Sequence, residues 1–480
     1  MGRHALVREF HTPLAAASAF RLFEGRPYSF FLDSGMDPQR LGRYSFLGSD
    51  PFLVLKSKGR RVSLSSQGEE REEYGDPFDR LRALLATYAL DSSDSPVPFN
   101  GGIVGYFSYD LCHFMERLPS AAADDLRIPE CYLCLYDAIA AFDHLEGRAY
   151  IVSTGFPELE EGCRLRRAAE RVAEIQDLLE RARPAAPTAD LTALVGRDGL
   201  RLRSNFSHEE YLRVVQKARE YIIDGDIFQV NLSQRFETEL AIMPYELYQR
   251  LRAANPAPFA CYLSFNEVSL VGSSPERFLR LQGDLVETRP IKGTRPRGKA
   301  PSQDETLARA LLSSPKDRAE NIMIVDLERN DLGRVCRYGS VRVTELAVLE
   351  AFPKVFHLTS TVVGRMRHDK DRVDLLRATF PGGSITGAPK VRAMEIIDEL
   401  EPTKRSVYTG SIGYLSFSGE MDLNIVIRSF IVKGGRAYFQ VGGGIVYDSD
   451  PEDEYMETLH KARGLMDALR LAPRMAVEVV

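Results

Sequence analysis

Thr288-Arg289-Pro290-Ile291-Lys292-Gly293-Thr294-Arg295-Pro296-Arg297-Gly298 sets one lysine between an apolar residue and a glycine, with three arginines close by. Pro290 and Pro296 fix φ locally. Gly293 lets backbone approach a ligand with no Cβ in the way. An amine among fixed positive charges gives up its proton more readily than a solvated lysine, and a neutral lysine is a nucleophile. By itself the segment also fits a basic surface loop that holds an anion through charge. The surrounding chain decides between the two.

Upstream, Ser207-His-Glu-Glu210 fits a capping box. Apolar residues follow at 211, 214, 215, 218, 221 and 222, and Gly225 closes the helix. Strands are expected at Phe228–Phe236, Phe259–Phe265, Val268–Gly272 and Phe278–Leu281. Downstream, Asp317 to Asp331 reads as a helix. A short helix, Val373 to Thr379, precedes the loop Pro381-Gly-Gly-Ser-Ile-Thr-Gly-Ala-Pro389, and Val391 to Leu400 is a further helix. Ser411–Phe417, Leu423–Val432 and Ala437–Val446 read as a hairpin series, closed by a helix from Glu452 to Leu471. Residues 1–182 read as an α+β region. It has short strands at Tyr28–Ser34 and Arg43–Gly48, a helix from Asp76 to Leu90, a glycine-punctuated strand at Gly101–Asp110 and a charged helix from Glu158 to Ala182. The Pro- and Ala-rich run 183–203 is the linker, and 204–480 is the catalytic segment.

A chain of 480 residues is too long for one ordinary core, so two domains or one large interwoven unit are expected. Hydrophobic residues at 44% and charged residues at 27% are ordinary for a globular protein. The net charge of −6 supplies no basic field for nucleic acid or a membrane surface. No run of about 18 apolar residues exists. Met1 to Phe20 contains Glu9 and lacks an apolar core, so no secretory signal is read. The six cysteines, at 112, 131, 134, 163, 261 and 336, are scattered and suit a reducing cytoplasm. Cys131 and Cys134 form a CxxC, but on a strand positions i and i+3 face opposite sides, so core packing is expected rather than metal binding.

Three constellations carry chemistry. Asp317 and Glu320 share one helix face, and Glu454, Glu457 and Lys461 share another. Such faces are commonly just solvated, but two that meet would make an oxygen cage for Mg²⁺. The loop 381–389 runs into a helix N-terminus with Pro389 in its first turn, an arrangement that presents N–H groups to an anion. Gly442-Gly-Gly444 follows a strand, close to Arg428 on its neighbour, and could hold a carboxylate. It is not a dinucleotide fingerprint, and no G-x-x-x-x-G-K-[ST] loop is present.

Asp226-Ile-Phe-Gln-Val230, Gly272-Ser-Ser-Pro-Glu-Arg277, Arg289–Gly298, Glu320-Asn-Ile-Met-Ile-Val-Asp-Leu-Glu-Arg-Asn-Asp331, Pro381–Lys390 and Gly442-Gly-Gly-Ile-Val446 stand in the order found in the chorismate-utilising enzymes. The chain resembles that family strongly from about Ser207 onward and more weakly before it. Within the family it resembles the large subunits of the aminodeoxychorismate branch, which leads to 4-aminobenzoate and folate. The fold this implies is α+β, an anthranilate-synthase-like two-domain sandwich of large, mainly antiparallel sheets with helices outside and the active site in a cleft.

The resemblance also implies roles. Glu320 and Glu457 bind Mg²⁺, with Asp317 and Glu454 beside them, and Mg²⁺ holds the ring carboxylate of chorismate. Arg428, Tyr408 and the Gly444 backbone hold the enolpyruvyl carboxylate. Glu276 is the general acid for the departing 4-hydroxyl. His357 and Ser384 line the ring, and Gln229, Thr294 and Lys461 complete the substrate site. Lys292 attacks C2 as the hydroxyl leaves, and ammonia then attacks C4 and expels the lysine. Anthranilate synthases usually carry alanine in the lysine motif. Isochorismate and salicylate synthases place a lysine base where this chain has Gln229. The implied partner is a glutamine amidotransferase acting in trans, since no G-x-C-x-G elbow surrounds any cysteine. The chain's end after the last helix leaves no room for a fused lyase. A tryptophan pocket occurs in the N-terminal half of relatives, and Leu32-Asp-Ser34 lies near its motif; so short a match assigns no regulation. Anthranilate synthase, or a chain serving both pathways, is the alternative. A degenerate binding module is disfavoured because Glu276, Lys292, Glu320, Arg428 and Glu457 are all present.

Overall fold

Gly102–Phe107, Cys131–Tyr136 and Ala138–Asp143 are buried at every position, which requires a packed layer on both faces of each strand. A computed structural model describes residues 2–91, 95–181, 202–352 and 354–469 and supplies those layers. Two sheets of twelve strands each carry the fold. In spatial order the first begins Leu6–Phe10, Arg148–Ser153, Ala138–Asp143, Tyr44–Gly48 and Phe30–Asp33. It continues through Phe259–Ser264, Ser269–Ser274, Ser429–Lys433 and Arg436–Ile445 to Gln229–Glu239 and Arg203–Ser204. The second begins Ile291–Pro296, Val355–Arg365, Leu285–Arg289 and Arg277–Gln282. It continues through Met421–Asn424, Ser411–Ser416, Gly102–Phe107 and Cys131–Tyr136 to the meander Leu53–Lys58, Arg61–Ser66 and Glu69–Tyr74. The ladders are antiparallel.

One apolar cluster, with Phe30, Leu270, Tyr106 and Tyr414, fills the space between the sheets. A second, with Phe31, Phe439, Leu251 and Leu465, joins the first sheet to its outer helices, and a third does the same for the second sheet. The expected sandwich with helices outside is therefore the observed architecture. Cys131 packs in the outer cluster of the second sheet and Cys134 between the sheets, on opposite faces as expected, and all six cysteines are free.

The division at 183–203 does not separate two cores. Phe30–Asp33 pairs with Phe259–Ser264, and Gly102–Phe107 pairs with Ser411–Ser416, so segments 1–182 and 204–480 are interwoven in both sheets. Pairing across the chain buries strand edges that neither segment could cover by itself. Residues 183–201 of the expected linker lie outside the described residues. Leu202 is buried, and Arg203 begins a short strand.

Local signals hold well. The box at Ser207 is reciprocal, with Glu210 N donating to Ser207 Oγ at 3.2 Å and Ser207 N to Glu210 Oε2 at 2.8 Å. The helix His208–Ile223 ends before Gly225, at φ +84°. The last helix is Pro451–Ala468, and the expected end at Leu471 lies outside the described residues. One expectation fails. Leu423–Val432 is not a single strand. Met421–Asn424 belongs to the second sheet and Ser429–Lys433 to the first, and the chain crosses between sheets at residues 425–428. Apolar residues run through the crossing because its flanks are buried in both sheets. Among the described residues no helix is long and apolar enough to cross a membrane.

Candidate active site

The lysine stretch folds as the strand Ile291–Pro296, paired with Val355–Arg365, and the register shifts between Ile291 and Thr294. Gly293, at φ +88°, makes that irregularity affordable, since a bulge needs a residue free of Cβ strain. The bulge sends Lys292 into the cleft, where its Nζ lies 3.4 Å from where a Cβ on Gly444 would stand. Burial pushes the Lys292 amine below its ordinary value; Glu320 opposes that, and Lys461 adds to the lowering. The nearby arginines expected to do this are committed elsewhere. Arg289 pairs with Glu350 at 2.6 Å, Arg295 with Asp317 at 2.9 Å and Arg297 with Asp304 at 2.6 Å. Desolvation, not the arginine field, primes the amine.

Glu276 follows the strand Ser269–Ser274 and is buried, with Oε1 accepting from Ile291 N at 3.3 Å. Burial raises its carboxyl to about 7, against the opposing Ser384 hydroxyl, Lys292 and Arg428. Arg428 sits at the sheet crossing with φ +54°, a conformation costly for a residue with a Cβ and frequent at functional sites. Its charge acts on Glu276, Tyr408 and His357. His357 is buried, bonds through Nδ1 to Thr294 Oγ1 at 2.9 Å, and is pushed by burial down to about 3, so it is neutral across the working range. Tyr408 is pushed by burial up to about 12 and stays a neutral phenol.

Gly442–Gly444 lies within the strand Arg436–Ile445 rather than after it, paired with Asn231–Ser233. The glycines permit close approach. A Cβ on Gly444 would stand 2.1 Å from Gln229 Nε2, and one on Gly443 would stand 3.0 Å from Glu454 Oε2 and 3.6 Å from Glu457 Oε1. Gln229 is buried, and among the described residues neither its Oε1 nor its Nε2 has a partner.

The two acidic helix faces meet here. Glu320, on the helix Pro315–Gly333, is raised by burial and lowered by Lys292 and Lys316, and the charge of Glu457 is felt at it. Glu457, on the helix Pro451–Ala468, is half-exposed in the cleft, 2.5 Å from Lys461 Nζ, which holds its carboxyl below the usual range. Lys461 also donates to Gly442 O at 2.9 Å. Glu454 Oε1 accepts from Ser449 Oγ at 2.6 Å and lies 3.9 Å from Lys316 Nζ, while its Oε2 is buried without a partner. Asp317 turns away to Arg295. Among the described residues no three acidic, histidine or cysteine side chains close into a ready metal cage. The donors are all oxygens and one is orphaned, so their chemistry fits a Mg²⁺ that keeps several waters.

The glycine loop departs from expectation. Its N–H at Gly383 is taken by the chain's own Glu328, at 2.9 Å, not left open for a ligand. Pro389 precedes the helix Lys390–Leu400 as its cap rather than entering the first turn. Ser384 nonetheless acts on Glu276, favouring its charged form. Three contributors went unread in the sequence. Lys316 faces the carboxylates, and its only local signal is its place one turn before Glu320. Glu328 braces the loop. Arg405 is fully buried against Glu401 at 2.7 Å, bonds to Ile385 O at 2.9 Å and Asn231 O at 2.5 Å, and lies over the Tyr408 ring. The Glu401/Arg405 spacing of four could have suggested the pair. A cavity of about 460 Å³ lies elsewhere, between Ser34, Tyr44, Phe46 and Tyr414, so Leu32-Asp-Ser34 lines a pocket.

This assembly has counterparts. A family model for chorismate binding enzymes matches residues 26–467, spanning strands of both sheets. Anthranilate synthase component 1 of Acetivibrio thermocellus is 41% identical, over 97% of this chain and 94% of its own length. Aminodeoxychorismate synthase component 1 of Bacillus subtilis is 38% identical, over 94% of each. The solved anthranilate synthase component I of Streptococcus pneumoniae superposes with a TM-score of 0.77 at 33% identity, covering 90% of this chain and 93% of that one. The menaquinone-specific isochorismate synthase MenF of Escherichia coli shares the fold, with a TM-score of 0.72 at 20% identity over 97% of this chain and 94% of that one. The chain belongs to the chorismate binding enzymes, in the group that holds the component 1 subunits of anthranilate synthase and aminodeoxychorismate synthase.

Proposed function

We propose that the chain is the large subunit of an aminodeoxychorismate synthase, converting chorismate and ammonia to 4-amino-4-deoxychorismate for 4-aminobenzoate and folate. The observation that carries this is Lys292 itself, a desolvated amine of lowered pKa aimed across the cleft at Gly444. Identities of 41% and 38% do not separate the two kinds of relative, and a lysine where anthranilate synthases usually carry alanine favours the aminodeoxychorismate chemistry.

Arg428, Tyr408 and the Gly444 backbone hold the enolpyruvyl carboxylate. Glu320 and Glu457, with Glu454 beside them, would hold Mg²⁺, which when bound would offset the ring carboxylate's charge. Glu276, protonated near neutral pH, gives its proton to the 4-hydroxyl, which leaves as water. The neutral Lys292 amine forms its bond to C2 as the C4–O bond breaks and the ring double bond shifts. Ammonia then bonds to C4, the C2–N bond breaks, and its electron pair returns to Lys292. His357, Ser384, Thr294, Gln229 and Lys461 shape the site around the ring. Ammonia comes from a glutamine amidotransferase in trans, because five of the six cysteines are buried and none sits in a nucleophile elbow. Free cysteines suit the cytoplasm.

The name of the Acetivibrio thermocellus relative, anthranilate synthase component 1, favours a second reading, anthranilate synthase. Mass identification of the product from purified protein, chorismate, Mg²⁺ and ammonium separates them. Aminodeoxychorismate supports the first reading, and anthranilate alone overturns it. Glutamine replacing ammonium should give no product.

A further inference from the structure

Glu328 has no part in the chemistry above, yet it is 2% exposed at the heart of the site's scaffold. From the helix Pro315–Gly333 its Oε1 accepts from Gly383 N at 2.9 Å, and its Oε2 accepts from Thr288 Oγ1 at 3.4 Å. One carboxylate thus touches both the loop that carries Ser384 and the strand that leads to Lys292. The loop approaches so closely that a Cβ on Gly383 would stand 3.0 Å from Glu328 Oε1. Ser384, the next residue, lies close enough for its hydroxyl to favour the charged form of Glu276.

The charges facing Glu328 are Asp331 on its own helix, Lys390 on the helix Lys390–Leu400, and Glu276 across the loop. Lys390 is committed to Asp331, and it also donates to Thr379 O at 3.0 Å and Pro381 O at 2.9 Å. Arg334 adds its charge at Asp331. Two buried carboxylates therefore share one lysine, and Glu328 is the one left without a cation in contact. Burial and Asp331 raise its proton affinity, so it gains and loses its proton in the range where Glu276 does.

We propose that Glu328 is a positioning residue for Glu276, fixing Ser384 against the Glu276 carboxyl through Gly383 and holding the Glu276 proton by its own negative charge. The proposal rests on Glu276 being the general acid. A negative Glu328 disfavours a second negative charge nearby, so removing it lets Glu276 ionise at lower pH.

The test is ammonium-dependent turnover of chorismate against pH, at fixed free ammonia, in the full chain. Glu328→Gln keeps an acceptor for Gly383 N and removes the charge. Its alkaline limb of kcat should move down by about half a pH unit or more. Glu328→Leu offers no acceptor, and its kcat should fall about tenfold at every pH. An alkaline limb in folded Glu328→Gln that coincides with the wild type, or wild-type kcat in Glu328→Leu, overturns the proposal. If Glu328→Gln does not fold, Glu328→Asp keeps the charge on a shorter arm; the limb should stay while kcat drops, and wild-type kcat there overturns the proposal as well. Glu276→Gln separates the two readings. Wild-type turnover in Glu276→Gln removes the general-acid role itself, whereas its collapse beside an unmoved limb in Glu328→Gln removes only the role of Glu328.

Discussion

Lys292 and Gly444 face each other from different sheets, and a Cβ on Gly444 would stand 3.4 Å from Lys292 Nζ and 2.1 Å from Gln229 Nε2. Lys292 stands on the edge strand of the second sheet and Gly444 near the end of a strand of the first. The cleft is the place where the two sheets bring an amine and a bare backbone together.

Gly444→Ala should therefore fold and fail. Its φ is outside the left-handed region, so alanine is tolerated by the backbone. The methyl must displace the buried Gln229 amide, and overpacking of about 1–3 kcal/mol falls on the reacting geometry. kcat/KM should drop about tenfold or more while the melting temperature stays close to wild type. Steady-state kinetics beside a thermal melt check this, and unchanged kinetics would place Gln229 and Lys292 elsewhere.

Incubated with chorismate and Mg²⁺ and no ammonia, the protein should accumulate an adduct heavier by chorismate less one water. Intact mass and peptide mapping should locate it at Lys292. Lys292→Ala should form none and should make aminodeoxychorismate far more slowly, with anthranilate-type product an allowed outcome. Absence of the adduct together with wild-type turnover in Lys292→Ala removes the nucleophile.

Turnover at fixed free ammonia should be bell-shaped in pH. Lys292 must be neutral, and its lowered pKa puts the rising limb below the ordinary lysine value of about 10.4. Glu276 must be protonated, so with the Lys292 limb below that of Glu276 activity falls as pH rises through about 7. His357, already neutral above about 3, contributes no limb at neutral pH. Glu276→Gln should abolish the falling limb along with most turnover, as a pH series on that variant would display.

Glu320→Gln or Glu457→Gln should remove most turnover and raise the Mg²⁺ concentration needed for what remains. Both side chains lie on regular helices facing the cleft, so circular dichroism should match wild type. Full activity of either variant in limiting Mg²⁺ would end the metal assignment.

Glu401→Ala tests the scaffold beneath the site. It strands the buried Arg405, which spans Ile385 O and Asn231 O, and the loss of one partner of such a pair costs about 3–5 kcal/mol. Chemical denaturation should register that loss, and a variant as stable as wild type would mean that Arg405 finds water instead.

About half of the strands, most of the helices and the box at Ser207 were legible in the sequence because each is set within a few residues. The box at Ser207 needs only Glu210. The resemblance to chorismate-utilising enzymes also rested on short runs in order. The tertiary structure alone decided which distant groups meet. Arg289, Arg295 and Arg297 read as a field around Lys292, but each finds a carboxylate, at Glu350, Asp317 and Asp304. Leu423–Val432 read as one strand, but two sheets divide it and leave Arg428 at the crossing. Gly383 read as an open anion site, but Glu328 from a remote helix fills it. Capping is short-range backbone chemistry, written where it occurs. Charge neutralisation and desolvation depend on partners brought from far along the chain, and they exist only once both sheets have closed on one another.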